Sequence, residues 1–357
     1  MTQQRIIVGL SGGVDSAVAA ALLQRQGHQV EGLFMRNWTE DDAYCTAAED
    51  FQSAQAVADV LGIPLHQADF SQAYKERVFA DFVAEYEAGR TPSPDLFCNR
   101  EIKFGEFARH ARALGADAIA TGHYARLEHG AEQSRLLQAR DANKDQTYFL
   151  AATRGADLAG VHFPLGELRK PEVRAIATEL GLPNHQRKDS TGVCFIGERP
   201  MREFLGQWIA TQQGDIRTDD GRTIGRHQGV AFYTLGQRNG LGIGGVKGAA
   251  EAPWYVAQRR TEDNVLLVTQ DVQDPRLNAK SMVLEPCYWL HEEPPAGQYS
   301  VRIRHRQPLQ KANLQPGPAL SLEFETPVWA AAEGQYAVIY RNDECLGCGM
   351  ILAAKPS

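Results

Sequence analysis

No apolar run in this chain approaches the roughly 20 residues that a membrane-spanning helix needs. The polar start, Met1 to Arg5, leads straight into a short apolar stretch, so no secretory signal peptide is read. Disulfide density is lacking too. Six cysteines scattered over 357 residues form no framework, which points to a reducing cytoplasm and leaves single thiols as candidates for chemistry. Positive charge is not in surplus: 37 Lys and Arg stand against 44 Asp and Glu, a net charge of −7. A polyanionic partner would therefore have to be met by a local basic surface. Internal repeats and low-complexity segments are absent, and the length exceeds one ordinary core, so two or three domains are expected.

What is present begins at residue 9. Gly9-Leu10-Ser11-Gly12-Gly13-Val14-Asp15-Ser16 follows the apolar run Ile6-Ile7-Val8 and precedes the Ala/Leu-rich stretch Ala17 to Gln26, which stops at Gly27. Strand, glycine turn and helix in that order gather backbone N–H groups and a positive helix end around one point, which suits a phosphate. The turn is not a Walker loop, having no Gly-Lys-Ser/Thr, and it lacks the dinucleotide spacing G-x-G-x-x-G. Ser-Gly-Gly-x-Asp-Ser resembles the pyrophosphate loop of the ATP pyrophosphatases, which split ATP into AMP and pyrophosphate while activating a carbonyl oxygen. Asp15 is read as orienting the loop, assisting Mg²⁺ or capping the helix.

From residue 5 to about 125 strand and helix patterns alternate, the mark of a parallel α/β sheet. Val30 to Met35 reads as the second strand, Thr46 as the cap of a helix to Leu61, Pro64 to Phe70 as the third strand, and Ser71 as the cap of a helix ending at Gly89. A proline-rich loop, Arg90 to Asp95, leads to Cys98 and a further helix; Asp117 to Thr121 is the next strand, ending at Gly122-His123. Ligands of such sheets sit beyond the carboxyl ends of the strands, so Gly9 to Ser16, Met35 (through its backbone, on the base) and Gly122 are the expected ATP-binding residues. From about residue 214 short β-rich runs with Gly, Asn and Asp turns dominate, including Tyr299 to Arg306, Ala319 to Glu325 and Gln335 to Tyr340, as in small barrels or sandwiches. Arg302, Arg304 and Arg306 would then share one face of a strand, able to track phosphates or simply to meet solvent.

Two thiols stand out. Cys98 closes a stiff Pro-Ser-Pro-Asp loop and opens a helix, where the dipole favours thiolate, although taken alone it reads better as a buried, inert cysteine. Asp95 beside it reads as a general acid or base, or as a turn cap. Cys194 lies in the polar, glycine-containing stretch Lys188 to Arg199. Two such thiols with a pyrophosphate loop suggest sulfur chemistry: one carries a persulfide and the other resolves it. Cys345-Leu346-Gly347-Cys348 has C-x-x-C spacing without a second pair or a nearby histidine to complete a zinc site, so it reads as structural, as do Cys45 and Cys287.

These stretches resemble, in order and over nearly the whole chain, the bacterial tRNA-specific 2-thiouridylases. The matching segments include the loop, Gly32-Leu33-Phe34-Met35, Gly89-Arg90-Thr91-Pro92, Pro94-Asp95 to Cys98-Asn99, Ile102-Lys103-Phe104, Ala120 to Tyr124, Asn143 to Gln146, Asp189 to Arg199 and Tyr233 to Arg238 with Gly240-Leu241-Gly242. The resemblance implies a PP-loop (adenine nucleotide α-hydrolase-like) ATP-pyrophosphatase domain over 1–205. Two small β-rich domains would follow, 206–277 and a C-terminal β-barrel over 278–357. It implies a tRNA-uridine 2-sulfurtransferase acting on the wobble uridine. The uridine O2 attacks the α-phosphate of ATP, sulfur carried on Cys194 reaches C2, Cys98 acts as nucleophile, and AMP leaves. A Cys98–Cys194 disulfide then needs a reductant, and the sulfur needs a persulfide-donating carrier protein or cysteine desulfurase. The same resemblance assigns tRNA contacts to Ser93, Pro94 and Asp95 at the target base, and to His123, Lys144, Asp145, Gln146, Arg304, His305 and Gln335. Ser93 departs from the family pattern, which has Asn there.

Alternatives remain on the residues alone. An adenylating amide ligase shares the loop but has no need of two thiols. A nucleotide-gated RNA-binding protein would release no pyrophosphate. Cys98, Cys194 and Asp95 are also plausible ligands of a metal or an iron–sulfur cluster.

Overall fold

The structure is a computed structural model describing residues 2–38, 47–130, 133–188, 201–209, 212–244, 246 and 248–356. The N-terminal region is built on a parallel sheet of β1 (Arg5–Gly9), β2 (Gln29–Arg36), β3 (Leu65–Asp69), β4 (Ala118–Ala120) and, at the edge beside β4, β7 (Val161–His162). The spatial order is β3-β2-β1-β4-β7. Ile6, Ile7 and Val8 of β1 are wholly buried, as a central strand covered on both faces requires. Their side chains alternate: Ile7 packs in the cluster of Leu33, Phe104 and Phe107, whereas Ile6 and Val8 join Ala20, Leu23 and Ala54 from α1 (Val14–Arg25) and α2 (Ala47–Leu61). Gly62 closes α2 with a φ of +64°.

Two helix starts differ from expectation. The helix over 71–87 begins at Ser71 itself, and its end is satisfied by Asp69, whose carboxylate accepts from Ser71 N at 2.9 Å and Ser71 Oγ at 2.6 Å. The helix expected to open at Cys98 starts four residues earlier, at Pro94. Proline is pre-set for a first helical turn, so Pro94 and Asp95 lie inside the helix instead of in the loop before it. From Cys98 to Phe107 its winding is π-helical.

A middle sheet, order β10-β11-β8-β9, comprises β8 (Gly214–Arg217), β9 (Thr223–His227), β10 (Tyr255–Arg260) and β11 (Val265–Thr269). The last unit is a closed six-stranded barrel of β12 (Asn278–Trp289), β13 (Gly297–Arg302), β14 (Gln310–Gln315), β15 (Leu320–Trp329), β16 (Tyr336–Arg341) and β17 (Glu344–Pro356), sealed by pairing of β12 with β17. Asn342, with a φ of +57°, forms the tight β16–β17 turn. One feature was not legible in advance: the hairpin β5 (Arg126–His129) and β6 (Ser134–Leu137) leaves the N-terminal region and pairs with β17, extending the barrel sheet.

The expected strand Tyr299 to Arg306 ends at Arg302, and its three arginines share no face. Arg302 is buried against Asp145, with Nη1 2.9 Å from Oδ2. Arg304 donates to the Leu235 carbonyl of the middle region at 2.7 Å, and Arg306 is exposed with a φ of +69°. A guanidinium drawn to a buried carboxylate and another drawn to a neighbouring carbonyl bend the chain away from the sheet ladder.

Candidate active site

The loop between β1 and α1 is held from behind. The Gly12 carbonyl accepts from Ser53 Oγ at 2.8 Å, Asn184 Nδ2 at 2.9 Å and Arg187 Nη1 at 3.3 Å. Arg187 is itself paired with Asp50. In a planar trans peptide the N–H of the next residue points opposite to that carbonyl, so the clamp turns the Gly13 N–H toward the other side, beside the N-terminus of α1. Gly12 must be glycine: its φ is +78°, and a Cβ there would lie 2.4 Å from the Asp50 carbonyl oxygen. Gly13 is different, meeting only Ser11 Oγ at 3.4 Å. Inside the loop, Ser16 Oγ accepts from Ser11 N at 3.2 Å and donates to Gly13 O at 3.0 Å.

Asp15 neither caps α1 nor presents an open face to a cation. Both its oxygens are on the Lys170 ammonium, at 2.8 and 2.9 Å, and Tyr124 Oη donates to Oδ1 at 2.9 Å. The fit of Asp15 to Mg²⁺ is therefore poor, and among the described residues no group of three or more His, Cys, Asp or Glu is arranged to hold a metal. Gly122 earns its place by close approach, since a Cβ would lie 2.7 Å from Ser16 N. Gly9 and Leu10 are buried under the loop, with the Met35 methyl 3.3 Å from where a Gly9 Cβ would stand. Just past Met35, Asn37 is buried and neither of its amide atoms has a partner among the described residues.

A continuous wall leads from this loop to Cys98. His123, following Gly122, is buried; its Nδ1 is 2.6 Å from Thr121 Oγ1 and its Nε2 is 3.5 Å from Lys103 Nζ on the Cys98 helix. Burial first, and the Lys103 ammonium second, hold this imidazole well below its usual range. Tyr124 N donates to Gln146 Oε1 at 2.9 Å, and Asn99 Nδ2 donates to Phe149 O at 2.9 Å. Phe149 lies against the His305 ring, 4.5 Å between centroids, and His305 Nε2 is 3.2 Å from Asp145 O. The structure thus brings together the 93–99 segment, residues 144–149 and 304–305.

These positions are largely engaged within the protein. Asp145, 1% exposed, accepts from Arg302, from Thr147 Oγ1 at 2.9 Å and from Ala139 N at 3.1 Å. Lys144 and Gln146 are half-buried beside it. Gln335 Nε2 donates to Thr91 O at 2.9 Å and Pro92 O at 3.2 Å, holding the chain just before Ser93. Thr91 also meets Thr234 and Arg259 of the middle sheet region, so all three regions converge there. Cys98 itself is 0% exposed, in the apolar cluster with Leu96, Ile102 and Phe104. Its burial agrees with the reading of a lone cysteine, but it does not stand at the helix mouth as expected, because the earlier helix start carries it a full turn inward. Cys194, the partner thiol of the persulfide and cluster readings, lies outside the described residues, as does Cys45. Cys345 and Cys348 are buried, with thiols pushed up chiefly by desolvation, and half-buried Cys287 is pushed up to about 11 for the same reason.

Sequence reasoning missed Lys170, Ser53, Asn184, Arg187 and Asp50. Their only local signal is Lys170 before Pro171 at a helix start; the rest meet the loop through tertiary contact alone.

Residues 4–198 match the family model described as tRNA methyl transferase HUP domain, 202–270 the tRNA methyl transferase PRC-barrel domain and 279–351 the aminomethyltransferase beta-barrel domain. Among curated proteins, the chain is 51% identical over 361 residues to the tRNA-specific 2-thiouridylase MnmA of Sodalis glossinidius, covering 99% of this chain and 98% of that protein. It is 49% identical to the Delftia acidovorans protein of the same name, covering 100% of both. The Escherichia coli O1:K1 / APEC protein is 51% identical over 98% of this chain and 97% of its own. Among solved structures, the U34-tRNA thiolase NcsA of Methanococcus maripaludis with its [4Fe-4S] cluster aligns at 17% identity over 57% of this chain and 63% of that one, with a TM-score of 0.35, too distant to bear on this site. Half identity over essentially the full length, with a fold of the same three parts, is decisive: the chain belongs to the family of bacterial tRNA-specific 2-thiouridylases.

Proposed function

We propose that this protein converts the wobble uridine of tRNA to 2-thiouridine at the expense of ATP, in the cytoplasm. The observation that carries the reading is the Gly12 clamp, which fixes a backbone N–H array at the α1 N-terminus, in a chain whose relatives carry the name 2-thiouridylase. ATP enters as substrate with its Mg²⁺, its phosphates along Gly9 to Ser16 and its base at the Met35 end of the sheet. Lys170 holds Asp15 so that the loop's one carboxylate does not repel the triphosphate.

In the first step the uridine O2 attacks the α-phosphorus and the bond to the β-phosphate oxygen breaks, releasing pyrophosphate. In the second, the terminal sulfur of a Cys194 persulfide bonds to C2. The Cys98 thiolate then attacks Cys194 Sγ, and the S–S bond breaks with its electron pair going to the transferred sulfur. AMP departs with the former O2, and a Cys98–Cys194 disulfide remains for an external dithiol to reduce. A persulfide-bearing carrier or desulfurase recharges Cys194. Asp95, one turn before Cys98, serves as acid or base. Ser93 and Pro94 border the base, and His123, Lys144, Asp145, Gln146, Arg304, His305 and Gln335 form or brace the tRNA-facing wall. Loss of thiolation on removing either thiol separates this reading from amide ligation, and the absorption spectrum of anaerobically purified protein separates it from a cluster enzyme.

The test loads the protein with labelled sulfane sulfur, adds ATP and tRNA, and follows label and pyrophosphate. Cys194→Ser is expected to release tRNA-dependent pyrophosphate without accepting label. Cys98→Ser is expected to accept label without transferring it. Thiolation at the normal rate by Cys194→Ser would overturn the assignment, and loss of a visible chromophore in both variants would favour the cluster.

A further inference from the structure

Between the helix that carries Cys98 and the barrel lies a cleft of about 720 Å³. Arg77, Arg100, Arg109, Arg112 and Arg154 line it, an accumulation not expected in a chain of net charge −7. Glu101, Gly105, Arg109 and Arg112 of that helical stretch line its floor together, with Gly105 adding no side chain in the middle. The facing wall comes from Tyr288 and Trp289 at the end of β12.

The local carboxylates do not balance the guanidinium groups. Glu106 is shared, with Arg77 Nη1 at 2.7 Å and Arg109 also paired to it. Arg100 is paired with Glu101 at 2.7 Å, and Arg154 with Asp157 at 2.7 Å. Arg112, exposed, has no carboxylate partner among the described residues. Five guanidinium groups thus stand against three carboxylates, and the surplus faces solvent on Arg77, Arg109, Arg112 and Arg154. The cationic group here is guanidinium throughout, the planar fork that pairs with phosphate through two hydrogen bonds. Arg100 stacks over the Tyr288 and Phe97 rings at 4.7 and 5.1 Å, so the aromatic wall is stiffened by the same charge type. By contrast Arg302 and Arg304 of the barrel are spent on Asp145 and Leu235.

We infer that this arginine cleft binds the phosphodiester backbone of the tRNA, away from the reacting base, and supplies a local basic surface on an acidic chain. The inference rests on the function proposed above and adds a binding site to it. A phosphate run seated on Arg109 and Arg112 would be gripped by the helix that carries Cys98 and by the barrel together, so tRNA binding would bear on the junction beside the thiol.

The test measures binding of full-length tRNA across a salt series, using wild type, Arg112→Ala, Arg112→Glu, Arg112→Lys and the double variant Arg109→Ala/Arg112→Ala. Among the described residues neither side chain is hydrogen-bonded to the loop or to Cys98, and thermal melts establish that each variant folds. The expected result is several-fold weaker binding for Arg112→Ala, a larger loss for Arg112→Glu and near-normal binding for Arg112→Lys. The slope of log affinity against log salt should fall by about one for each phosphate contact removed. At saturating tRNA, pyrophosphate release should be unchanged. Unaltered affinity and slope in the double variant would overturn the inference. Unaltered tRNA binding with slower sulfur loading from a donor protein would also overturn it, assigning the cleft to an acidic protein partner. Either failure leaves wild-type thiolation intact; absence of thiolation by wild type itself would instead sink the underlying function.

Discussion

The two chemical ends of the site are built on opposite plans. The phosphate loop is set from behind by side chains of Ser53, Asn184 and Arg187, while its own hydroxyls, Ser11 and Ser16, accept from the Gly13 and Ser11 N–H groups. The thiol of Cys98 is sealed in the apolar interior, and the segment before it is tied to the barrel by Gln335. The first end is organised before any ligand arrives, which reduces the ordering cost of binding. On the reaction proposed above, the second has to open for sulfur to reach it, and a thiol kept shut until substrates are seated is protected from stray oxidants. The two proposed steps would then differ in what limits them: loop geometry for adenylation, release of the 91–98 segment for sulfur transfer.

The sharpest way to break the comparison is at Gly12. Gly12→Ala places a Cβ against the Asp50 carbonyl in a left-handed backbone, where an L-residue costs about 1–2 kcal/mol before the clash is relieved. Relief requires the loop to move, so tRNA-dependent pyrophosphate release should fall by about 100-fold or more, equivalent to roughly 2.7 kcal/mol. Gly13→Ala has room at its Cβ and an ordinary φ of −80°, so it should fold normally and lose far less. Equal loss in both variants would mean that the clamp behind Gly12 does not set the loop.

Next comes the buried pair that docks the barrel. Arg302→Ala strands Asp145, and removing one partner of a buried pair costs about 3–5 kcal/mol. Denaturant melts should show that loss. Pyrophosphate release with saturating substrates, measured well below the melting point, should fall less than in Gly12→Ala, because the loop's clamp involves no barrel residue. A stability change within about 0.5 kcal/mol, as for an ordinary surface position, would show the pair to be solvated.

How much of this could be read from the chain follows from the same contrast. The strand, glycine turn and helix at residues 5–25 are contiguous, so hydrophobic pattern and turn chemistry reveal them together. The parallel sheet and the β-rich remainder were visible for that reason. What holds the loop was not visible, because Asn184 and Arg187 reach Gly12 from more than 170 residues away. The alternating arginines at 302, 304 and 306 looked like a strand face, and only their partners Asp145 and Leu235 show otherwise. Cys98 was misplaced through one local detail: Pro94 starts the helix, and a residue expected at its mouth is carried into the core.

His123 links the two ends, standing between Gly122 at the loop and Lys103 on the thiol helix. Its folded pKa lies well below the unfolded value near 6.5. The unfolded chain thus takes up a proton that the buried ring refuses, and stability from this ring is complete above about pH 6.5 and is lost as pH falls toward the folded value. His162, His227 and His305 are depressed in the same direction by burial. Melting temperature should accordingly drop between pH 7 and pH 5, and His123→Gln should flatten part of that drop while leaving the other three contributions. An acid limb identical in the variant would show that His123 is protonated without cost.

The smallest expected effect tests the sealed end directly. Gln335 contributes two neutral hydrogen bonds to the Thr91 and Pro92 carbonyls, each worth about 0.5–1.5 kcal/mol net. Gln335→Ala loses both, but Thr91 N still donates to Glu333 O at 2.8 Å, so the segment loosens without letting go. If release of this segment exposes Cys98, alkylation of Cys98 by a small thiol reagent, followed by peptide mass, should quicken by about tenfold or less. ATP with tRNA should quicken it in the wild type as well, if the sulfur transfer proposed above uses the same opening. Gln335→Glu separates tether from packing: its side chain keeps the length but cannot donate to two carbonyls, so it should label at least as fast as the alanine variant. A labelling rate unmoved by either substitution would place the gate elsewhere, and rapid labelling of the resting wild type would remove the contrast between a preset loop and a closed thiol altogether.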